Sequence, residues 1–258
     1  MEEKERAPKV RVFDDAEAVA RAAAERFVET SNEAIRATGR FSVALSGGST
    51  PQRTYQLLAS DEFKDRVDWT KTHIFFGDER CVPPDDAASN YRMADEALLT
   101  RVALPPQNIH RMTGTGDALA NARLYEDELQ TFFDGSEWPR FDLVLLGMGD
   151  DGHTASLFPA TAALREQRAW VVANWVDKLD AYRLTLAAPA INHAARVVFL
   201  VTGAGKAGRV AEVINGARDP KRLPSQLIQP ESGALEWFLD RAAAAQLSTD
   251  TFINQHET

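Results

Sequence analysis

Apolar residues along the chain switch repeatedly between helical spacing and short continuous runs. The Ala-rich segment that begins at Asp14 has the three- and four-residue spacing of an amphipathic helix, with Glu17 as a capping-box partner and Gly39 as its end. Phe41–Leu45 and Phe141–Leu146 are short, mostly apolar runs, which are typical of strands covered on both faces. This alternation predicts an α/β fold with a mostly parallel sheet.

The same patterns predict the remaining elements. Pro51 is expected to be the first residue of a helix and Ser89 to cap another, and a further helix covers about Asp117–Phe133. Helices are also predicted after Gly205 and after Gly233. No linker or repeat interrupts the pattern, so we expect one domain over residues 1–258. The other predicted strands are His73–Phe76, Trp170–Ala173, Tyr182–Leu186 and Val197–Val201.

Composition narrows the range of functions. The net charge of −9 argues against a nucleic-acid partner but leaves room for a local positive pocket. A single cysteine, Cys81, excludes an intramolecular disulfide and an all-cysteine metal site. No apolar run reaches the ~18 residues of a membrane span, and no secretory signal is visible at the N-terminus. We therefore expect a cytoplasmic protein with no membrane partner.

A Gly-rich loop follows the first predicted strand. Ser46–Pro51 reads as a strand end, a Gly-Gly turn and a helix start. Glycines allow close approach to the backbone, and the free N–H groups at a helix N-terminus attract anions. We interpret the loop as a phosphate site, with a plain tight turn and a Ser/Thr cap as the alternative. The candidate residues are Gly47, Gly48, Ser49 and Thr50.

Three charged residues end the next strand. Asp78 and Glu79 precede Arg80, whose paired donors suit a phosphate or a carboxylate. A solvated ion-pair cluster is the alternative.

The loop Gly147–Thr154 contains two aspartates and a histidine. It matches the glycine pattern of dinucleotide sites, but the aspartates would repel a pyrophosphate. Imidazole can take and return a proton near neutrality, and a neighbouring carboxylate would orient it. We therefore interpret His153 as a base and Asp151 as its partner. A metal held by Asp151 and His153 is the other hypothesis, although one histidine with carboxylates is a thin ligand set for zinc.

A fourth loop, Thr202–Gly208, repeats the glycine pattern but fails the P-loop test, because Leu200 and Ala207 replace required residues. Lys206 at the start of the following helix is a candidate phosphate ligand, with a solvent-facing lysine as the alternative.

Together these loops resemble the 6-phosphogluconolactonase family over about residues 10–245. The segment Asp177–Ala181 departs from the family pattern because it lacks the expected prolines. The Gly147–Pro159 stretch is long and specific. The other matching stretches are Val43–Pro51, Phe76–Pro83, Ser89–Met93, Arg183–Leu186, Phe199–Gly203 and Lys206–Ala207.

The resemblance implies a single doubly wound, mostly parallel sheet with helices on both faces, similar to glucosamine-6-phosphate deaminase. It implies hydrolysis of 6-phospho-D-glucono-1,5-lactone in the pentose phosphate pathway, with His153 as the base and Asp151 orienting it. Arg80 would meet the oxyanion or, alternatively, the phosphate. Asp78 would position Arg80 or a sugar hydroxyl. The expected phosphate ligands are Gly47, Gly48, Ser49, Thr50, Arg183 and Lys206.

No metal or cofactor is expected, and the expected partner is the lactone alone, bound by a monomer or weak homo-oligomer. Two alternatives remain. An amino-sugar-phosphate deaminase/isomerase would use Asp78 as a base on carbon; in that family a Tyr, and not Arg80, typically follows the Asp-Glu pair. A sugar-phosphate-sensing domain would need a DNA-binding module, for which little sequence precedes the first predicted strand.

Overall fold

The computed structural model describes residues 8–248 and the two-residue strand at 253–254. The strands are β1 (Lys9–Phe13), β2 (Phe41–Leu45), β3 (Thr72–Phe76), β4 (Asp78–Arg80), β5 (Leu143–Leu146), β6 (Val171–Val176), β7 (Ala181–Leu186), β8 (Arg196–Val201), β9 (Ala234–Asp240) and β10 (Ile253–Asn254). The helices are α1 (Ala16–Thr38), α2 (Ser49–Leu58), α3 (Asn90–Ala97), α4 (Ala118–Phe132), α5 (Ala188–Asn192) and α6 (Ala207–Asn215).

Seven strands form a wholly parallel sheet in the order β10-β1-β9-β8-β5-β2-β3. From β1 to β2 to β3 the chain steps in one direction across the sheet, and from β5 to β8 to β9 it steps in the other. Right-handed crossovers therefore place α1 and α2 on one face and α6 on the opposite face. The doubly wound α/β prediction is confirmed, and the switch point lies between β2 and β5.

Burial explains the central strands. Every residue of β2 and β5 is buried, as their mostly apolar sequences predict. α1 ends at Gly39, which adopts the left-handed conformation (φ 83°). Its N-cap is Asp15, whose side chain accepts from the Ala18 N–H, so the prediction of a start at Asp14 was one residue early. No helix in residues 8–248 is long and apolar enough to cross a bilayer.

A second sheet was not predicted. β4, β7 and β6 form a three-stranded antiparallel sheet in that order, apart from the parallel one. The strands expected near 170–173 and 182–186 exist, but they pair with each other and with the Asp-Glu-Arg segment. This small sheet brings Arg183 opposite Arg80.

Three local predictions were wrong. The segment after Gly233 is the strand β9, not a helix: between β1 and β8, pairing on both edges overrides the helical propensity of its Ala- and Leu-rich sequence. β1 was missed because its alternation is short and carries charges. α2 begins at Ser49, two residues before Pro51.

Candidate active site

The switch point gathers the loops that follow β2, β5 and β8. Ligands in open α/β sheets bind in the crevice at this position, outside the carboxyl ends of the strands. The hydroxyls of Thr50 and Thr202 lie 2.8 Å apart and join the loop after β2 to the loop after β8, across the end of β5. This contact brings together the Gly-rich loop and the Lys206 loop, which were both expected to bind the phosphate.

The N-terminus of α2 is open to this crevice. Gly48, the residue before the helix, has φ 111°, and no side chain among the described residues caps the helix. Ser49 is exposed and Thr50 is half-buried. The uncapped end of a ten-residue helix offers N–H groups and a positive dipole end to an anion.

Gly47 is needed for packing. A Cβ on Gly47 would lie 2.0 Å from the side-chain oxygen of Asn90 at the start of α3. The loop after β2 is therefore pressed against α3, and a side chain at this position would push the two apart.

His153 and Asp151 form the predicted pair. His153 Nδ1 lies 2.5 Å from Asp151 Oδ1, which also accepts from the His153 backbone N–H at 3.1 Å. The imidazole stacks on Phe158 with ring centroids 4.1 Å apart. No residue described in the structure hydrogen-bonds Nε2, and the side chain is 27% exposed. The ring is thus fixed on one edge and free on the other.

Asp151 stays ionised in this arrangement. Burial would raise the pKa of Asp151, but hydrogen bonds from Lys178 and His153 outweigh burial and lower the pKa below its usual range. An ionised carboxylate on Nδ1 orients the ring and stabilises the imidazolium that forms when Nε2 takes a proton.

Gly149 allows the imidazole to sit where it does, and this gives a prediction. A Cβ on Gly149 would lie 2.1 Å from His153 Nδ1 and Cε1, whereas a Cβ on Gly147 in the same loop meets no heavy atom within 4 Å. We expect Gly149→Ala to displace the imidazole ring and to lower kcat of the lactone hydrolysis implied by the resemblance about 10²-fold. Gly147→Ala is the matched control and should retain activity. Equal activity of the two variants would contradict the assigned position of the ring.

Asp78 connects three loops. Its Oδ2 accepts from Ser156 Oγ at 2.7 Å, and its Oδ1 accepts from Asn90 Nδ2 at 3.2 Å. Ser156 lies three residues after His153, and Asn90 abuts Gly47. Asp78 is 8% exposed, so both oxygens are engaged inside the protein. Through these hydrogen bonds Asp78 connects the His153 loop with α3, which packs against the Gly-rich loop after β2.

Glu79 anchors α3. Its carboxylate accepts from the backbone N–H groups of Asn90 (2.7 Å) and Tyr91 (2.8 Å) and from the Ser89 hydroxyl. Burial raises the pKa of Glu79, and the hydrogen bonds from backbone N–H groups oppose that rise. Ser89 caps α3 through the Arg92 N–H, as predicted. Glu79 therefore holds a helix and is not free for chemistry.

Arg80 and Arg183 form a pair of cations. They are opposite residues in the β4–β7 ladder, and Arg80 also donates to the Ala88 carbonyl. Burial, and then the charge of Arg80, lower the pKa of Arg183. Within the described residues neither guanidinium makes a salt bridge. Two adjacent unpaired cations favour binding of an anion, which relieves their repulsion.

Each aspartate of the His153 loop is paired with a lysine. Lys206 Nζ lies 2.5 Å from Asp150 Oδ1, so the predicted phosphate ligand is held here by a carboxylate. Lys178 bonds Asp151 Oδ2. No local pattern predicts a role for Lys178; the one sequence signal is that its segment, Asp177–Ala181, departs from the family pattern. Among the residues described, no three His, Cys, Asp or Glu side chains converge as a metal site.

Comparisons with known proteins point in one direction. A model of the family described as glucosamine-6-phosphate isomerases/6-phosphogluconolactonase matches residues 14–237. A 6-phosphogluconolactonase of Nostoc sp. is 44% identical over 242 residues, which are 93% of this chain and 98% of that protein. A 6-phosphogluconolactonase structure from Trypanosoma cruzi superimposes with a TM-score of 0.83 at 30% identity, covering 95% of this chain and 100% of that one. A monomeric glucosamine-6-phosphate deaminase shares the fold, with a TM-score of 0.77 at 22% identity over 92% of this chain and 99% of its own.

Proposed function

The chain belongs to the glucosamine-6-phosphate isomerase/6-phosphogluconolactonase family, and we propose that it hydrolyses 6-phospho-D-glucono-1,5-lactone to 6-phospho-D-gluconate in the pentose phosphate pathway. The observation that carries the proposal is the His153–Asp151 pair, with Nε2 unbonded by any described residue, at the sheet edge where the N-terminus of α2 is also open. In the small antiparallel sheet Arg80 and Arg183 are opposite residues, and neither makes a salt bridge with a described residue. Relatives named 6-phosphogluconolactonase match nearly the whole chain.

His153 is the general base in this proposal. Water is a poor nucleophile at neutral pH, and Nε2 takes its proton as the oxygen attacks C1 of the lactone. Asp151 on Nδ1 stabilises the imidazolium. The tetrahedral oxyanion then collapses, the ring C1–O bond breaks, and the departing alkoxide recovers the proton from Nε2. Arg80 supplies positive charge to the oxyanion.

The phosphate is bound at the other end of the sugar. We propose that the α2 N-terminus, with Gly47, Gly48, Ser49 and Thr50, binds the phosphate together with Arg183 and Lys206. Lys206 must then exchange Asp150 for the phosphate, a swap of one anion for another of higher charge. Binding energy at this remote group orients the lactone carbonyl over His153.

The geometry favours a lactonase over a deaminase. A deaminase acting through Asp78 would need a carboxylate free to take a proton from carbon. Here Ser156 and Asn90 occupy both oxygens of a buried Asp78. The likeness to a solved deaminase extends to the fold alone.

A two-substrate assay separates these functions. We expect purified protein to accelerate hydrolysis of the phospholactone and to release no ammonia from glucosamine 6-phosphate. Ammonia release without lactone hydrolysis would overturn the proposal. Protein heated above its unfolding temperature is the control for spontaneous lactone opening.

The remaining proposals concern setting and assembly. One hydrophobic core extends from Val10 to Ala244, which supports a single domain. We propose a cytoplasmic enzyme, a monomer or weak homo-oligomer, with no nucleic-acid or membrane partner, in line with the net charge of −9. His153 and Arg80 provide base and positive charge, so the proposed reaction needs no metal or organic cofactor.

A further inference from the structure

The turn of the β6–β7 hairpin approaches the His153 loop. Trp175 and Tyr182 are opposite residues near the end of the hairpin and pack edge to face, with centroids 5.0 Å apart. Asp180 closes the turn in the left-handed conformation (φ 47°). Lys178 lies within this turn, so the regular β6–β7 hairpin fixes its position beside the His153 loop.

Lys178 contacts both groups that hold His153. Its Nζ bonds Asp151 Oδ2, while Asp151 Oδ1 serves His153. The same Nζ lies 4.6 Å from the ring centroid of Phe158, on which the imidazole stacks. No hydrogen bond joins Lys178 to His153 itself. Any effect of Lys178 on the imidazole therefore passes through these two neighbours and through space.

We propose that Lys178 is a positioning residue for the proposed lactone hydrolysis: it fixes Asp151 on His153 and offsets the charge of the Asp151 carboxylate. This inference rests on the proposed function. A carboxylate with no other cation beside it stabilises an imidazolium more strongly than one whose charge is shared. A carboxylate shared with a lysine still orients the ring but attracts its proton less.

Each negative charge on the His153 loop has a positively charged partner. On its own loop are Asp150 and Asp151; Lys206 pairs with Asp150, and Arg209 of α6 donates to the Asp150 carbonyl. Lys178 is the cation bonded to Asp151. Its removal leaves that carboxylate with His153 as its charged partner. The imidazolium form of His153 is then more stable. Activity that needs the neutral ring is expected to begin at a higher pH.

The test compares Lys178→Met, Lys178→Arg and Lys71→Met. Lys71 is a matched control, because its side chain is 51% exposed against 52% for Lys178 and it also pairs with an aspartate. We expect Lys178→Met to lower kcat about 1.5- to 3-fold at pH 7 with KM unchanged, and to move the acidic limb of the rate–pH profile up by about half to one pH unit. Lys178→Arg should restore both, and Lys71→Met should alter neither.

Two outcomes would overturn the proposal. A raised KM with an unmoved acidic limb would mean that Lys178 touches the substrate. If kcat and the acidic limb of the rate–pH profile were both unchanged, the Lys178–Asp151 ion pair would have no effect on the reaction.

A second readout does not depend on lactonase activity: ¹⁵N NMR of labelled histidines, with His153 assigned by His153→Asn, should show more protonated His153 at pH 7 in Lys178→Met. If the wild type fails to hydrolyse the lactone, the proposed function fails, while this measurement still decides the role of Lys178.

Discussion

Replacing His153 by alanine is expected to lower kcat for the phospholactone by about 10²- to 10⁴-fold, the usual contribution of a positioned general base. The physical reason is the loss of Nε2, the edge of the ring that no described residue occupies. KM should change little, because phosphate binding is assigned to other loops. Initial rates corrected for spontaneous hydrolysis measure the effect.

His193→Ala is the matched control for this variant. Its side chain has the same 27% exposure, and its Nε2 lies 3.4 Å from a carboxylate oxygen of Glu231. It precedes β8 and so lies near the amino ends of the parallel strands, whereas the site lies at their carboxyl ends. Full activity in His193→Ala beside a large loss in His153→Ala supports the assignment. Retained activity in His153→Ala would remove His153 as the base while leaving the function intact.

Arg183→Met is expected to lower kcat/KM for the phospholactone by about 10²-fold, since a charge-assisted hydrogen bond contributes about 1.5–3 kcal/mol and a guanidinium can form two. Hydrolysis of unphosphorylated gluconolactone should be unaffected. The ratio of kcat/KM on the two lactones measures the loss of selectivity. An equal loss on both would place Arg183 at the reacting carbonyl instead.

Arg80→Met distinguishes the role of the second cation. If Arg80 meets the oxyanion, kcat falls on both lactones; a loss confined to the phosphorylated lactone would assign Arg80 to the phosphate. Arg36→Met removes an exposed arginine from the last turn of α1 and controls for the change in net charge. It should leave both substrates unaffected.

The sequence predicted the functional loops themselves, but it did not predict which distant residues contact them. Each of the loops after β2, β5 and β8 has a local signature: an apolar strand, glycines, and in two cases a helix start. Parallel strands end at one sheet edge, and the strand order β8-β5-β2 makes those three loops neighbours. The ring position of His153 follows from Gly149 and Asp151 within the same loop.

The sequence did not predict the contacts that depend on pairing between strands far apart in the chain. Arg80 faces Arg183 only because β4 leaves the parallel sheet and pairs with β7. Asp78 is held by Ser156, 78 residues later in the chain. Lys178 reaches Asp151 through the register of the β6–β7 hairpin. Strand register and tertiary burial set these contacts, and no local pattern encodes either.

β9 illustrates the same limit. Its Glu236 argues against a buried strand, yet it is 2% exposed and its carboxylate bonds both Arg26 and Arg196. These partners come from α1 and β8, so the charge is compensated only after the fold has formed.

The most direct test of the central claim is the initial rate of hydrolysis of freshly generated 6-phosphogluconolactone by the wild-type protein. The product is read through a coupled dehydrogenase, the spontaneous rate is subtracted, and EDTA and unphosphorylated gluconolactone are run alongside. The account predicts an acceleration that survives EDTA and falls sharply without the phosphate. A rate equal to the spontaneous one would contradict it.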